Sequence, residues 1–191
     1  MDFRLAPLRI ETGRLVLREF VADDWRATLA YQSDPRYLRY YGWESRAEDE
    51  VRAFVAMFVR LQGEMPRSKF QLAIEAKADG RLIGNCGVRQ AEPGARVADM
   101  GYELAPDEWG KGYATEAAAA MRDFAFGVLG VHRLWASCVA DNAASARVLA
   151  KLGMVFEGRL RQNEFYKGRW WDELVFAMLE EEWRALTMPE S

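Results

Sequence analysis

Two glycines flank a lysine in Asp107-Glu108-Trp109-Gly110-Lys111-Gly112-Tyr113-Ala114-Thr115. The segment joins the strand-like run Met100 to Leu104 to an alanine-rich stretch, Ala114 to Phe126, that reads as a helix. At a helix entrance the first-turn N–H groups lack intrahelical partners, and the aligned peptide dipoles concentrate partial positive charge there. Glycines leave those N–H groups unobstructed, so a phosphate fits the loop through backbone alone, and Lys111 adds a cation. The chemistry indicated is anion binding. A P-loop requires a glycine where Ala105 stands and Ser or Thr where Gly112 stands, which excludes it. A dinucleotide fingerprint requires a third glycine in place of Thr115 and a βαβ setting, whereas the preceding segment reads as antiparallel.

A second constellation follows the strand-like run Leu134 to Val139: Asp141-Asn142-Ala143-Ala144-Ser145, then Leu149-Ala150-Lys151-Leu152-Gly153-Met154. Phe156-Glu157-Gly158-Arg159-Leu160-Arg161 and Gly168-Arg169-Trp170-Trp171-Asp172 come next, and Thr12-Gly13-Arg14-Leu15-Val16-Leu17-Arg18 stands near the start. In this order and spacing, together with Gly110 and Gly112, these segments resemble the RimJ/RimL-like branch of the GNAT superfamily of N-acetyltransferases. That branch is known for acetylating ribosomal-protein N-termini, and the resemblance extends from Glu11 to Trp183. The family's loop, Gln/Arg-x-x-Gly-x-Gly/Ala, wraps the pyrophosphate of coenzyme A. Asp107 departs from its first position.

The resemblance implies acetyl-CoA as the acyl donor. Gly110, Lys111, Gly112, Tyr113, Ala114 and Thr115 would hold its pyrophosphate. The backbone of Glu103, Leu104 and Ala105 would bind the pantetheine arm, with Asn142 and Ser145 on the facing helix. Three hydrogen bonds to a charged group contribute roughly 5–9 kcal/mol. Association costs ~4–15 kcal/mol, so the arm must also bind, and an exposed strand edge suits its amides.

Acetyl transfer needs a neutral amine and a stabilised leaving thiolate. An α-amine of pKa ~7.7–8.0 is about a tenth deprotonated at neutral pH, and a lysine of pKa ~10.4 below a thousandth. Glu103, at the strand end, is the expected base, acting directly or through water. A solvated strand carboxylate is the plain alternative. The family's tyrosine acid belongs seven residues after Asn142, where this chain has Leu149. Ser145 is the expected substitute, donating a hydrogen bond to the departing sulfur; a first-turn serine in a helix cap is the alternative. Asn142 bonds pantetheine or simply caps its helix. His132 and Asp172 read as structural. Tyr40-Tyr41-Gly42-Trp43-Glu44, with Glu48, Asp49 and Glu50, falls where such enzymes wall the acceptor site, or is a solvated helix start.

The elements that must position these groups follow from periodicity. Leu15, Leu17 and Phe20 open a strand, and Asp23 or Asp24 caps a helix through Tyr31 that ends at Asp34-Pro35. Ser45-Arg46-Ala47-Glu48 has capping-box spacing ahead of an apolar face made by Val51, Phe54, Val55, Phe58 and Val59. Strands follow at Phe70 to Ile74, Leu82 to Gly84 and Met100 to Leu104. After Gly130 the order is strand, helix, strand, strand, closed by Glu180 to Leu186. The expected fold is a single-domain α/β sandwich of α+β type spanning residues 1–191. The resemblance implies a mixed, mostly antiparallel sheet splayed after its fourth strand, with helices on both faces.

A chain of 191 residues, half of them hydrophobic, supports one sizeable core. A net charge of −3 argues against direct binding of nucleic acid. Two cysteines in strand-like segments exclude a disulfide framework, and no metal is expected. The start lacks the apolar run of a signal peptide and no stretch suits a membrane span, so the expected location is the cytoplasm, as a monomer or homodimer. The expected partner is an amine acceptor, either a protein N-terminus or a small molecule. The alternatives are a transferase for a longer acyl group and a non-catalytic coenzyme-A-binding module.

Overall fold

The computed structural model describes residues 7–187. Its eight strands are β1 (Arg9–Glu11), β2 (Leu15–Glu19), β3 (Lys69–Ala76), β4 (Leu82–Gln90), β5 (Val97–Leu104), β6 (Arg133–Val139), β7 (Val155–Tyr166) and β8 (Arg169–Leu179). They form one sheet in the order β1-β2-β3-β4-β5-β6-β8-β7. Every neighbouring pair is antiparallel except β5 and β6. Those two pair only through Val97, Ala98 and Asp99 against Arg133, Leu134 and Trp135. Beyond Asp99 strand β5 pairs with β4 alone, and the sheet opens into a V. The expected splay is present. It falls after the fifth strand because the short β1, which the sequence reading omits, adds one to the count.

Strand alternation sorts side chains into two layers. Phe70, Leu72 and Ile74 of β3 join Met121 and Phe124 of helix α4 (Tyr113–Gly127), and Leu149 of helix α5 (Ala143–Lys151) and Leu152 just after it lie in the same core. On the other face Phe20, Ala73, Val51, Val55 and Phe58 pack beneath helices α1 (Trp25–Gln32) and α3 (Glu48–Leu61). Each large side chain buried this way contributes about 1.5–3 kcal/mol. A one-turn helix, α2 (Pro35–Leu38), links these layers to the site, and α6 (Glu180–Thr187) closes the described chain.

Two local expectations are corrected. Asp34-Pro35 starts α2 as well as ending α1: Asp34 accepts the Arg36 N–H at 2.8 Å, and proline tolerates the first helical position, where its missing N–H has no partner to lose. The cap of α3 is Ala47 rather than Ser45; Glu50 reaches back to the Ala47 N–H at 3.0 Å, which supplies one half of a capping box.

Candidate active site

The V between β5 and β6 is a cleft of about 790 Å³. Its walls include Tyr37, Tyr41, Tyr102 and Glu103 on one side, Gly110 to Thr115 without Lys111 at one end, and Asn142 to Ser145 opposite.

The loop end has the backbone geometry that an anion site requires. Gly110 and Gly112 have φ of 77° and 84°, the left-handed region that side chains rarely occupy. A Cβ on Gly110 would meet no protein atom within 4 Å, so it is not packing that requires glycine there. Gly112 is the residue before α4, and no side chain caps the helix, leaving its first-turn N–H groups facing the cleft unpartnered. The residues therefore fit a diphosphate by backbone alone. The charge of Lys111 is partly met within the protein. Its Nζ pairs at 2.9 Å with Glu108, a carboxylate only 5% exposed that also takes Arg81. The i,i+3 spacing of Glu108 and Lys111 was the available signal.

The Thr12-Gly13-Arg14 segment explains itself here. Thr12 Oγ1 donates to Glu116 Oε1 at 2.6 Å, and the Arg14 N–H and Nε donate to the same carboxylate at 2.8 and 2.7 Å. Arg14 also donates to the Lys111 carbonyl at 2.9 Å and lies over the Tyr113 ring. β2 is thereby fastened to the loop and the first turn of α4. Burial acts to raise the pKa of Glu116, but the bonds from Thr12 and Arg14 outweigh it and hold the carboxyl below its usual range.

Of the backbone expected to meet the pantetheine arm, the Ala105 N–H donates to Ile83 at 2.8 Å and so faces β4. The Leu104 carbonyl accepts the Trp109 indole at 2.9 Å. Backbone groups alternate along an antiparallel ladder, so those of Glu103 face β4 as well, and the open edge of β5 is offered by Tyr102 and the Leu104 N–H.

Alternation aims Glu103 at the α1–α2 layer and its neighbour Tyr102 at α5. Glu103 Oε1 accepts Tyr31 Oη at 2.7 Å, Gln32 Nε2 at 2.8 Å and Asn85 Nδ2 at 2.6 Å. Oε2 accepts Tyr37 Oη at 2.5 Å and has a long contact of 3.5 Å with Tyr41. Burial, then the Glu103 charge, pushes the phenols of Tyr31, Tyr37 and Tyr41 well above the ordinary tyrosine range, so they remain donors. Three donors fill Oε1, whereas Oε2 keeps room for another. Tyr41 stacks between Tyr37 and Trp43, with ring centroids 4.5 and 4.8 Å apart, which fixes the wall.

Across the cleft Asn142 Oδ1 accepts the Ser145 N–H at 3.2 Å. It therefore caps α5 while its Nδ2 stays free for a ligand. Ser145 Oγ lies 2.9 Å from Tyr102 Oη, whose pKa burial raises. Leu149 is 1% exposed and belongs to the core, so the tyrosine position of the family is not a site position here. The sequence reading missed Tyr102, though the period of two separates it from Glu103 and turns it toward the helix. His132 lies outside the cleft, near Glu180. Asp172 accepts Arg159 and the Gln162 N–H, holding an irregularity of β7. Glu48 and Glu50 form ion pairs at the start of α3; besides Glu103 and Glu108, the acidic cleft residues are Asp141, Glu164 and Glu173.

A splayed mixed sheet with a glycine loop aimed at the gap and a carboxylate across it defines a nucleotide-dependent acyl-transfer site. The profile of the acetyltransferase (GNAT) domain matches residues 14–155, and the chain belongs to that family. The uncharacterised N-acetyltransferase YnaD of Bacillus subtilis is 34% identical over 92% of this chain and 99% of its own. The crystal structure of a GNAT-family acetyltransferase from Bacillus anthracis has a TM-score of 0.79 and 29% identity, over 91% of this chain and 99% of that one. RimL, a ribosomal L7/L12 α-N-protein acetyltransferase solved with coenzyme A, shares the fold at a TM-score of 0.78 and 21% identity, covering 90% and 98%. The protein is an acetyl-CoA-dependent N-acetyltransferase. Among the described residues no cluster suits a metal ion, and no helix is long and apolar enough to cross a membrane.

Proposed function

We propose that the protein acetylates a primary amine by direct attack on acetyl-CoA within a ternary complex, the amine entering from the α1–α2 side. One observation carries this reading: a single cleft has an anion cradle at one end and, through the gap in the sheet, a carboxylate with one open acceptor position. Acetyl-CoA supplies the activated carbonyl. Gly110 to Thr115 orient it through the diphosphate, and Asn142 Nδ2 binds the arm. Glu103 Oε2 takes the amine proton, directly or through a water that displaces the long Tyr41 contact. Ser145 donates to the departing sulfur, and Tyr102 holds the serine hydroxyl in place.

The acceptor is a protein N-terminus or a small amine. Glu164 and Glu173 line the cleft with no ion-pair partner among the described residues, which favours an amine bearing further positive charge. The test is release of free thiol from acetyl-CoA against a panel of N-terminal peptides and polyamines. Release with at least one amine, faster for cationic acceptors and slowed by Glu164→Gln and Glu173→Gln, supports the reading. Binding of acetyl-CoA without release for any acceptor contradicts it and favours a non-catalytic module.

A further inference from the structure

Two of the donors on Glu103 Oε1 are side-chain amides, Gln32 and Asn85. An amide can turn either its oxygen or its nitrogen to a neighbour, so something must decide which end meets the carboxylate. Behind each amide stands an arginine. Arg46, just before α3, donates from Nε to Gln32 Oε1 at 3.1 Å, and Gln32 Nε2 donates onward to Glu103. Along the sheet, Arg89 Nη1 donates to Gln71 Oε1 at 3.2 Å, and Gln71 Nε2 donates to Asn85 Oδ1 at 2.6 Å. Asn85 Nδ2 then donates to Glu103 at 2.6 Å. Arg89 is held in turn by Asp99, its cross-strand partner. The sheet clears a path for this chain. Asn85 stands opposite Glu103, and Gly87 faces Gly101 two residues along the same face. A Cβ on Gly87 would overlap Gln71 Oε1, so glycine is what lets the amide lie along the strands.

A guanidinium has no acceptor, so each chain can run in one direction only. The order is set at the arginine and arrives at Oε1 as an N–H. Gln71 and Asn85 are buried, and an amide turned the wrong way would leave polar atoms unpaired. We infer that Arg89, Gln71 and Asn85 are positioning residues for the transfer: they fix the polarity of the contacts at Oε1 and so leave Oε2 to meet the amine. Arg46 and Gln32 act in the same sense from the α1 side. This rests on Glu103 as the base and adds the remote groups that orient it.

Gln71→Glu tests the chain by reversing it. A carboxylate there, ionised against Arg89, accepts from both neighbours, so Asn85 must turn Oδ1 to Glu103. The titratable groups that face Glu103, namely Tyr31 of α1, Tyr37 of α2 and Tyr41 beyond it, are the same in every variant. Two readouts are taken. One is the acid limb of kcat/KM for thiol release. The other is the Glu103 carboxyl titration followed by NMR, which needs no substrate and is assigned with Glu103→Gln. In Gln71→Glu both midpoints should rise by roughly one pH unit, a tenfold change in proton affinity. Gln71→Met breaks the chain without reversing it, and should lower Tm while both midpoints stay in place. In an Asn85→Ala background Gln71→Glu should lose most of its effect, because the link is gone while the charge remains. Should Gln71→Glu fail to fold, Arg89→Met releases the order at its surface end and should move both midpoints the same way by less. An unmoved Glu103 titration overturns the inference. So does a shift that survives Asn85→Ala in full, which would be bare charge acting at a distance. A Glu103 midpoint that moves beside an unmoved kcat/KM profile upholds the chain and refutes Glu103 as the base.

Discussion

Replacing Glu103 by glutamine removes one charge while keeping the shape, and the structure fixes what that should cost. Four donors approach the carboxylate within 2.8 Å: Tyr31, Gln32, Asn85 and Tyr37. A hydrogen bond to a charged group contributes about 1.5–3 kcal/mol, and a neutral one about 0.5–1.5. The three bonds to Oε1 weaken by roughly 1 kcal/mol each if glutamine keeps its oxygen there. Its amide nitrogen then faces Tyr37 and Tyr41, whose hydroxyls can rotate to accept. Discounting for partial exposure of Glu103, the net loss should be about 2–3 kcal/mol. For a chain of this length that corresponds to a fall in Tm of roughly 4–12 °C. Because the donors belong to α1 and α2, the acceptor wall should loosen too. Removing the base lowers kcat by roughly 10²–10⁴, and the KM for the amine should rise with it. The assay is thermal denaturation beside steady-state thiol release across pH. An unchanged melting curve refutes the bracing role, and an unchanged rate and pH profile refute the base.

Other perturbations separate the remaining parts of the site. Ser145→Ala should lower the chemical step by about tenfold or more, with coenzyme A affinity within twofold of wild type in calorimetry. Wild-type single-turnover rates would remove Ser145 from the mechanism. Gly112→Ala forces a side chain into φ of 84°, costing about 1–2 kcal/mol, and sets its Cβ 3.3 Å from Arg14. Its affinity for coenzyme A should fall at least tenfold, and retained affinity would mean that the loop does not hold the diphosphate. Glu116→Gln should destabilise by about 1–3 kcal/mol at neutral pH. Glu116 has its folded pKa lowered, so its contribution is full above about 4.5 and fades as pH falls through the folded value. The stability gap between variant and wild type should therefore close below about pH 4.5 in denaturant titrations; a gap that persists there contradicts the assignment.

The glycine turn into α4 was legible because its determinants are local: Gly110 and Gly112 permit the positive φ that the turn uses, whatever surrounds them. The α5 cap was legible for the same reason, since Asn142 and Ser145 are three residues apart. The cage around Glu103 was not, because its donors arrive from Tyr31, Gln32, Tyr37 and Asn85, on three elements that meet only in the folded sheet. That Lys111 shares Glu108 with Arg81 was not legible, because no local pattern announces the burial of Glu108. The run from Glu44 to Glu50 read either as an acceptor wall or as a solvated helix start, and Glu48 and Glu50 follow the second reading. Glu48 pairs with Arg52 on α3 and Glu50 with Arg46 just before it, while the hairpin of β7 and β8 brings Glu164 and Glu173 to the cleft.

The most direct measurement is a crystal structure of the protein with coenzyme A at saturating concentration. Diphosphate oxygens should lie about 2.7–3.2 Å from peptide nitrogens between Gly110 and Thr115, with the sulfur in the gap between β5 and β6, beside Ser145. A ligand bound elsewhere, or a loop with no phosphate on it, would contradict the assignment of this cleft as the place where acetyl transfer occurs.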